Sequence, residues 1–178
     1  MPKLYFITTN KDKFAEVQAL IPEVEQLSIA LTEIQDADPH VIIKAKLKEA
    51  AAHNRGAYIV DDTSLSFDAL NGLPGPFIKW FLEKLGREGL ADTVHKLGNN
   101  KATAKAIIGY AKGDDLRFFE GTVAGTIVSP RGNTFGWDPI FVPDGYSKTF
   151  AEMGTEEKNR ISHRTQAVRK LKEYLASR

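Results

Sequence analysis

Apolar positions recur along the chain with two spacings, and each spacing predicts a different kind of element. Leu4 to Thr8 is a short run of β-forming residues, and Thr8-Thr9-Asn10 supplies helix N-cap chemistry directly after it. Phe14, Val17, Leu20 and Ile21 then fall on a helical stripe, which predicts a helix over Lys11 to Ile21 with Pro22 as its stop. Val24 to Leu31 is a second strand candidate, and Thr32 to Pro39 is an acidic loop. Pro39 suits the first turn of a helix running to about Arg55. Ile42, Ile43, Leu47, Ala50 and Ala51 form its buried side, and Gly56 ends it. The apolar run Ala57 to Val60 reads as a buried strand that ends in two adjacent carboxylates, Asp61 and Asp62. A second short strand follows, with Leu65, Phe67 and Ala69 alternating.

The second half continues the mixture. Ala69 to Pro76 is a rigid loop rich in Gly and Pro, and Phe77 to Leu85 is helical up to Gly86. Glu88 to Leu97 is another short helix, closed by the turn Gly98-Asn99-Asn100. Lys101 to Ala111 and Leu116 to Val128 read as two long strands joined through Lys112-Gly113-Asp114-Asp115 as a hairpin. Pro130 to Pro139 is a loop, Ile140 to Val142 a short strand, and Pro143-Asp144-Gly145 a turn. A last helix is predicted over Glu156 to about Ala176, with Ile161, Val168, Leu171 and Leu175 on its buried side. There is no internal repeat, linker or low-complexity tract. The order of elements predicts an α/β fold with a mixed sheet rather than a strictly alternating parallel one.

A length of 178 residues, with 42% hydrophobic and 26% charged residues, is that of an ordinary soluble domain large enough to bury a core. A net charge of +1 argues against a protein coated in nucleic acid or held on a membrane by charge. With no cysteine there is no disulfide framework, thiolate metal site or thiol nucleophile. No apolar run reaches the length of a membrane span, and Met1-Pro2-Lys3 leads into a strand without a signal-peptide pattern. A cytoplasmic protein is expected.

The chemistry is narrowed first by what is missing. The chain contains no Walker-type phosphate loop, dinucleotide fingerprint, zincin motif or hydrolase elbow. His40, His53, His95 and His163 are scattered, which disfavours a histidine zinc site. Three groups remain. Glu16, Glu33, Asp61 and Asp62 are hard oxygen donors of the kind that hold Mg2+. Asp61 and Asp62 read either as a strand-end turn or as such a site, because carboxylates at the end of a buried strand need hydrogen bonds or a cation. The second group is basic: Lys158, Arg160, His163 and Arg164. On the predicted last helix Lys158 and Ser162 share a face, and cations in its first turn suggest an anion beside them, the alternative being a solvated face. Lys13, in the first turn of its own helix, carries the same pair of readings. The third group is Phe135, Trp137 and Asp138. In an extended loop the two rings point the same way across Gly136, as a platform for a flat ligand or as a buried aromatic cluster. Together the groups suggest a metal–phosphate site with an aromatic base pocket.

Four blocks now stand together: Thr8-Thr9-Asn10-Lys11-Asp12-Lys13-Phe14; Val60-Asp61-Asp62-Thr63 with Leu70-Asn71-Gly72-Leu73-Pro74-Gly75; Phe135-Gly136-Trp137-Asp138-Pro139 through Thr149-Phe150-Ala151-Glu152-Met153; and Lys158-Asn159 with Ser162-His163-Arg164. In these blocks, and in their order, the chain resembles the inosine triphosphate pyrophosphatase family, also called the Ham1 or noncanonical purine nucleoside triphosphate pyrophosphatase family. The resemblance implies a single domain over residues 1–178 with a strongly twisted mixed sheet flanked by helices, its two lobes enclosing a central cleft. It implies a homodimer acting on a small nucleotide, with no nucleic acid or membrane partner. The implied reaction is Mg2+-dependent hydrolysis of ITP, dITP and XTP between the α- and β-phosphates, with Mn2+ as a substitute metal, which removes these nucleotides from the pool. By the resemblance, Asn10, Lys13 and Lys46 bind the phosphates, with Lys13 also catalytic and Lys44 the alternative to Lys46, and Thr8 and Thr63 are further substrate-binding residues. Glu33, Asp61 and Asp62 hold the metal, and Asp62 activates water. Phe135, Trp137, Asp138, Lys158, Ser162, His163 and Arg164 form the base pocket. Thr63-Ser64 departs from the family's usual residues after the acidic pair.

Overall fold

Strand alternation in the first half of the chain buries side chains on both faces of one sheet. The computed structural model describes residues 3–53 and 56–177, without the His53 side chain. Among these, β1 (Leu4–Ile7), α1 (Lys11–Gln18), β2 (Glu25–Leu27), α2 (Pro39–His53) and β3 (Ala57–Phe67) come first. They are followed by β4 (Pro74–Gly75), α3 (Ile78–Lys96), β5 (Lys101–Lys112), β6 (Asp115–Ile127), β7 (Phe141–Pro143), α4 (Phe150–Ile161) and α5 (His163–Ala176). The strands form a seven-stranded sheet in the order β2-β1-β3-β5-β6-β7, with β4 on β3. β1 runs parallel to β2 and β3, whereas the β3–β4 and β6–β7 pairs are antiparallel, so the sheet is mixed. Gly113 at φ 57° turns the β5–β6 hairpin.

The chain divides into two compact units. One takes in the described residues up to Asp62, Ala106–Gly121 and the described residues from His163 onward; the other takes in Thr63–Lys105 and Thr122–Ser162. In the first, Phe6, Ile59, Ile108 and Tyr110 pack with Val17 of α1 and with Ala167, Val168 and Leu171 of α5. Ile7, Tyr58, Val60 and Ile107 pack instead with Ile43, Leu47 and Ala50 of α2. Neighbouring strand residues thus belong to different cores, as the period of two requires. In the second unit Leu65, Phe67, Ala102, Ala104, Ile127 and Phe141 gather with Ile78, Leu90 and Val94 of α3 and Phe150 and Met153 of α4.

Several expectations are corrected. The turn at Asp61-Asp62 does not exist: β3 is one unbroken strand through both residues, and it stops at Phe67 rather than Ala69. β2 is far shorter than Val24 to Leu31, and α1 ends at Gln18, before Ile21. The predicted end of the second helix at Arg55 lies outside the described residues. The single last helix is two. Thr149 caps α4 by accepting from the Glu152 N–H while the Glu152 carboxylate accepts from the Thr149 N–H, a capping box that starts the helix before Glu156. Gly154 (φ 71°) interrupts α4, and Ser162 leaves it with ψ 155°, so α5 starts afresh at His163. Gly86 does break α3, with φ 68° and ψ 178°. No described helix is long and apolar enough to cross a membrane.

Two glycines admit close packing in the first unit. A Cβ on Gly109 would meet the side-chain ends of Ile43 and Leu47, whereas one on Gly121 would meet the backbone at His163 and Ala167, where α5 begins. Side-chain ends can turn aside, but a helix backbone cannot. Gly121→Ala is therefore expected to lower unfolding stability by about 2–3 kcal/mol, and Gly109→Ala by less, with urea unfolding midpoints as the measurement.

Candidate active site

The alternation of β3 decides where each aspartate goes. Asp61 follows the parity of Ile59 and lies towards α1 and α5; Asp62 follows Tyr58 and Val60 and lies towards α2. Lys13 Nζ lies 3.2 Å from Asp61 Oδ1 and 3.1 Å from Oδ2, and Arg164 Nη2 lies 3.4 Å from Oδ2. The other arm of Arg164, Nη1, pairs with Glu16 on α1. Asp61, Glu16 and Arg164 are all buried, so a chain of alternating charges is closed inside the unit. Burial raises the Asp61 carboxyl, but Lys13, Arg164 and Lys46 together overcome it and hold its pKa at about 2.

Asp62 meets one cation at longer range. Lys46 Nζ donates to the Asp61 carbonyl oxygen at 2.9 Å, pairs with Glu33 Oε1 at 2.9 Å, and lies 3.7 Å from Asp62 Oδ1. Asp62 Oδ2 is buried with no hydrogen-bond partner among the described residues. Burial is the largest influence on Asp62, and with the repulsion of Asp61 and Glu33 it outweighs the attraction of Lys46 and Lys13, so its pKa rises to about 6. Lys46 loses by burial but gains more from Asp61, Asp62 and Glu33, and is held above its ordinary value. Lys44 is exposed, with its ammonium 5.9 Å from the Phe118 ring, while Lys46 is buried and faces the acids.

The loop before α1 is built to hold Lys13. Thr8 Oγ1 accepts the Asn10 N–H at 3.1 Å, and Asn10 Oδ1 caps the helix by accepting the Lys13 N–H at 3.0 Å. The Lys13 ammonium is paired with the Asp61 carboxylate, which offsets the helix dipole beside it. The loop carrying Glu33 is tied down by Glu49, whose carboxylate accepts the Thr32 N–H at 2.9 Å. Glu49 stands one helical turn after Lys46 on α2, a spacing readable in the sequence, although its partner is not.

The aromatic group belongs to the second unit, and one of its rings is not a platform. Gly136 has φ 60°, so the loop is not extended there. Trp137 is buried in the core, edge-on to Phe141 with centroids 5.5 Å apart, whereas Phe135 is half-buried. Lys158 Nζ lies 2.5 Å from Asp138 Oδ2 and 4.7 Å from the Phe135 ring centroid. Thr134 Oγ1 lies 3.5 Å from the same carboxylate oxygen. Lys158 sits in the last turn of α4, where a cation suits the helix dipole, and the extended Ser162 removes the shared helix face expected of the two. Thr63, half-buried, and Ser162, buried, belong to this unit; His163, buried, and Arg164 belong to the first. Arg164 accompanies Glu16 and Asp61.

Metal fit rests on the donors. Glu33 Oε1, Asp62 Oδ1 and the Asp61 carbonyl surround an ammonium, an arrangement of hard oxygens that suits Mg2+, and the unpartnered Asp62 Oδ2 is a further donor. Among the described residues no three His, Cys, Asp or Glu side chains cage a metal by themselves. Both Asp61 carboxylate oxygens are already held by cations.

The raised pKa of Asp62 has a consequence for stability. A folded-state value above the unfolded one means stability present below about pH 4 and lost as pH rises through about 6. The rise from 3.8 to about 6 corresponds to about 3 kcal/mol. Asp62→Asn is expected to stabilise the fold by that order at pH 8 in chelator, and to have little effect at pH 4. Urea unfolding of both proteins at the two pH values measures it; equal stability at pH 8 contradicts it.

The Ham1 family model matches residues 4–174. The Ham1 protein of Staphylococcus aureus superimposes with a TM-score of 0.79 at 26% identity, covering 98% of this chain and 99% of that one. A HAM1 protein from Coxiella burnetii gives 0.82 at 24% identity over all of both chains, a likeness of fold. A protein of Mycobacterium abscessus described as a nucleoside-triphosphatase / dITP/XTP pyrophosphatase gives 0.71 at 26% identity, covering 94% of this chain and 97% of that one. With the match running almost end to end, the chain belongs to the Ham1 family.

Proposed function

We propose that the protein is a nucleoside triphosphate pyrophosphohydrolase that uses noncanonical purine nucleotides, ITP, dITP and XTP, and releases the nucleoside monophosphate and pyrophosphate. The observation that carries the reading is Asp62: a largely buried carboxylate whose buried Oδ2 is unpartnered among the described residues, with a pKa of about 6. A general base is most effective when its pKa lies near the working pH. Family membership and the dITP/XTP activity named for the Mycobacterium abscessus relative support the same assignment.

In this proposal Asp62 Oδ2 takes a proton from water as its oxygen attacks the α-phosphorus, and the bond to the bridging oxygen breaks so that pyrophosphate leaves. Lys13 and Lys46 bind the triphosphate, with Thr8, Asn10 and the N-terminal end of α1 as further contacts. Glu33 and Asp62 hold Mg2+, or Mn2+ in its place. When bound, the metal neutralises phosphate charge and lowers the pKa of a bound water. Asp61, expected among the metal ligands, is proposed here to orient Lys13, since both its oxygens lie on Lys13 and Arg164.

Phe135 stacks on the base, and Lys158, oriented by Asp138, donates to its 6-oxo oxygen. A 6-amino group offers no acceptor there and leaves the buried ammonium proton unpaired, which is a strong ground for rejection. Thr63, Ser162 and His163 complete the substrate contacts by family resemblance. Trp137 supports Phe141 and Phe150 from the core and acts on the pocket through the loop it anchors. The protein is proposed to work as a cytoplasmic homodimer.

The test is product analysis. With Mg2+ and ITP, XTP, dITP, ATP or GTP, the three noncanonical nucleotides are expected to yield pyrophosphate, and chelation to stop the reaction. Orthophosphate as product, or equal use of ATP, defeats the proposal. Asp62→Asn is expected to lower kcat by at least about a thousandfold while leaving substrate affinity within about threefold.

A further inference from the structure

Arg87 lies outside every motif described above, yet it touches the loop on which base recognition depends. Gly86, with φ 68° and ψ 178°, breaks α3 immediately before it, so Arg87 does not follow the line of the preceding turn. Its Nε donates to the Gly136 carbonyl at 2.8 Å, and its Nη2 donates to the Thr134 carbonyl. One planar guanidinium therefore holds the main chain on both sides of Phe135, a use for which the fixed fork of arginine is suited and the single ammonium of lysine is not. The loop has little else to fix its tip. Among the described residues Arg131 N–H donates to the Pro139 carbonyl at its base, but no backbone–backbone hydrogen bond reaches Thr134, Phe135 or Gly136. Gly136, at φ 60°, adds backbone freedom at the same place.

We propose that Arg87 is the positioning residue of the base pocket, setting affinity for the nucleotide base by holding Phe135 over Lys158. The proposal rests on the reading of Phe135 and Lys158 given under Proposed function. Phe135 is the one half-exposed ring of its motif, because Trp137 is consumed by the core, and its distance from the Lys158 ammonium, 4.7 Å, fixes where a base would lie. Without the guanidinium the ring keeps its chemistry but loses its place, and each binding event must then order the loop again. The proposed phosphate and metal groups, Lys13, Lys46, Glu33 and Asp62, belong to the other unit.

The experiment compares wild type with Arg87→Ala and Arg87→Lys, using ITP turnover with Mg2+ and inhibition by inorganic tripolyphosphate, which carries the phosphates without a base. Arg87→Ala is expected to raise KM for ITP by about tenfold, with kcat at saturation within about twofold and the inhibition constant of tripolyphosphate unchanged. Arg87→Lys, able to reach one carbonyl, should fall between. Amide exchange of residues 133–137 should quicken in Arg87→Ala and leave the core strands as slow as in wild type. An unchanged KM, or an equal loss of tripolyphosphate affinity, overturns the role of Arg87. Failure of the wild type itself to hydrolyse ITP overturns the underlying reading instead, and the assignment of Arg87 with it.

Discussion

An ionised aspartate in the middle of a buried strand is the constraint around which the first unit is built. Asp61 is buried, and water is replaced by Lys13 from α1 and Arg164 from α5. Removing either cation would leave the buried charge only partly compensated, a costly change for a buried ion. That requirement fixes more than one residue. Arg164 must also be neutralised, and Glu16 on α1 does it, so two helices are held against one strand by a single alternating chain of charge. The low pKa of Asp61 follows from this arrangement, and so does its unsuitability as a base.

Asp62 differs from Asp61 only by one step along the strand. That step turns its side chain to the face covered by α2, where Lys46 is the nearest cation and divides its attention among Glu33, the Asp61 carbonyl and Asp62. Two chemically identical carboxyls are thus driven apart, to about 2 and about 6, by burial and by the different charges that meet each face of the strand. Pairs of carboxyls whose environments separate their pKa values are a recurrent basis for dividing acid–base roles. The neutral-range member of this pair shares the Lys46 ammonium with Glu33 and the Asp61 carbonyl.

The motif residues and the class of fold were legible in the sequence because they depend on local pattern: strand and helix periods, the hairpin at Gly113, the break at Gly86 and the four blocks in order. What escaped depends on partners distant in the chain. Asp and Thr are turn formers, so Asp61-Asp62-Thr63 looked like a strand end until Lys13, Lys46 and Arg164 supplied the charges that let β3 continue. Trp137 looked like a platform because alternation was assumed across Gly136, whose positive φ sends the ring into the core. Glu49 and Arg87 carry no motif at all, and each acts on the backbone of a segment far away in sequence. Only the glycine before Arg87 hinted that the helix was being re-aimed.

The basic block near the C-terminus shows how a short motif can serve two purposes once the helix is not continuous. Had residues 156–176 formed one helix, Lys158 and Ser162 would share a face and His163 would neighbour them. With Ser162 extended, the direction of the chain is reset between Lys158 and Arg164. Lys158 is then free to close α4 upon Asp138 and Phe135, while Arg164 opens α5 upon Glu16 and Asp61. The cost is one buried residue, Ser162, whose backbone belongs to neither helix, while Gly121 leaves room for the start of α5, because any larger residue there would strike the backbone at His163. The residues of this block are held in order by the chain, but their two functions are separated by a single change in ψ.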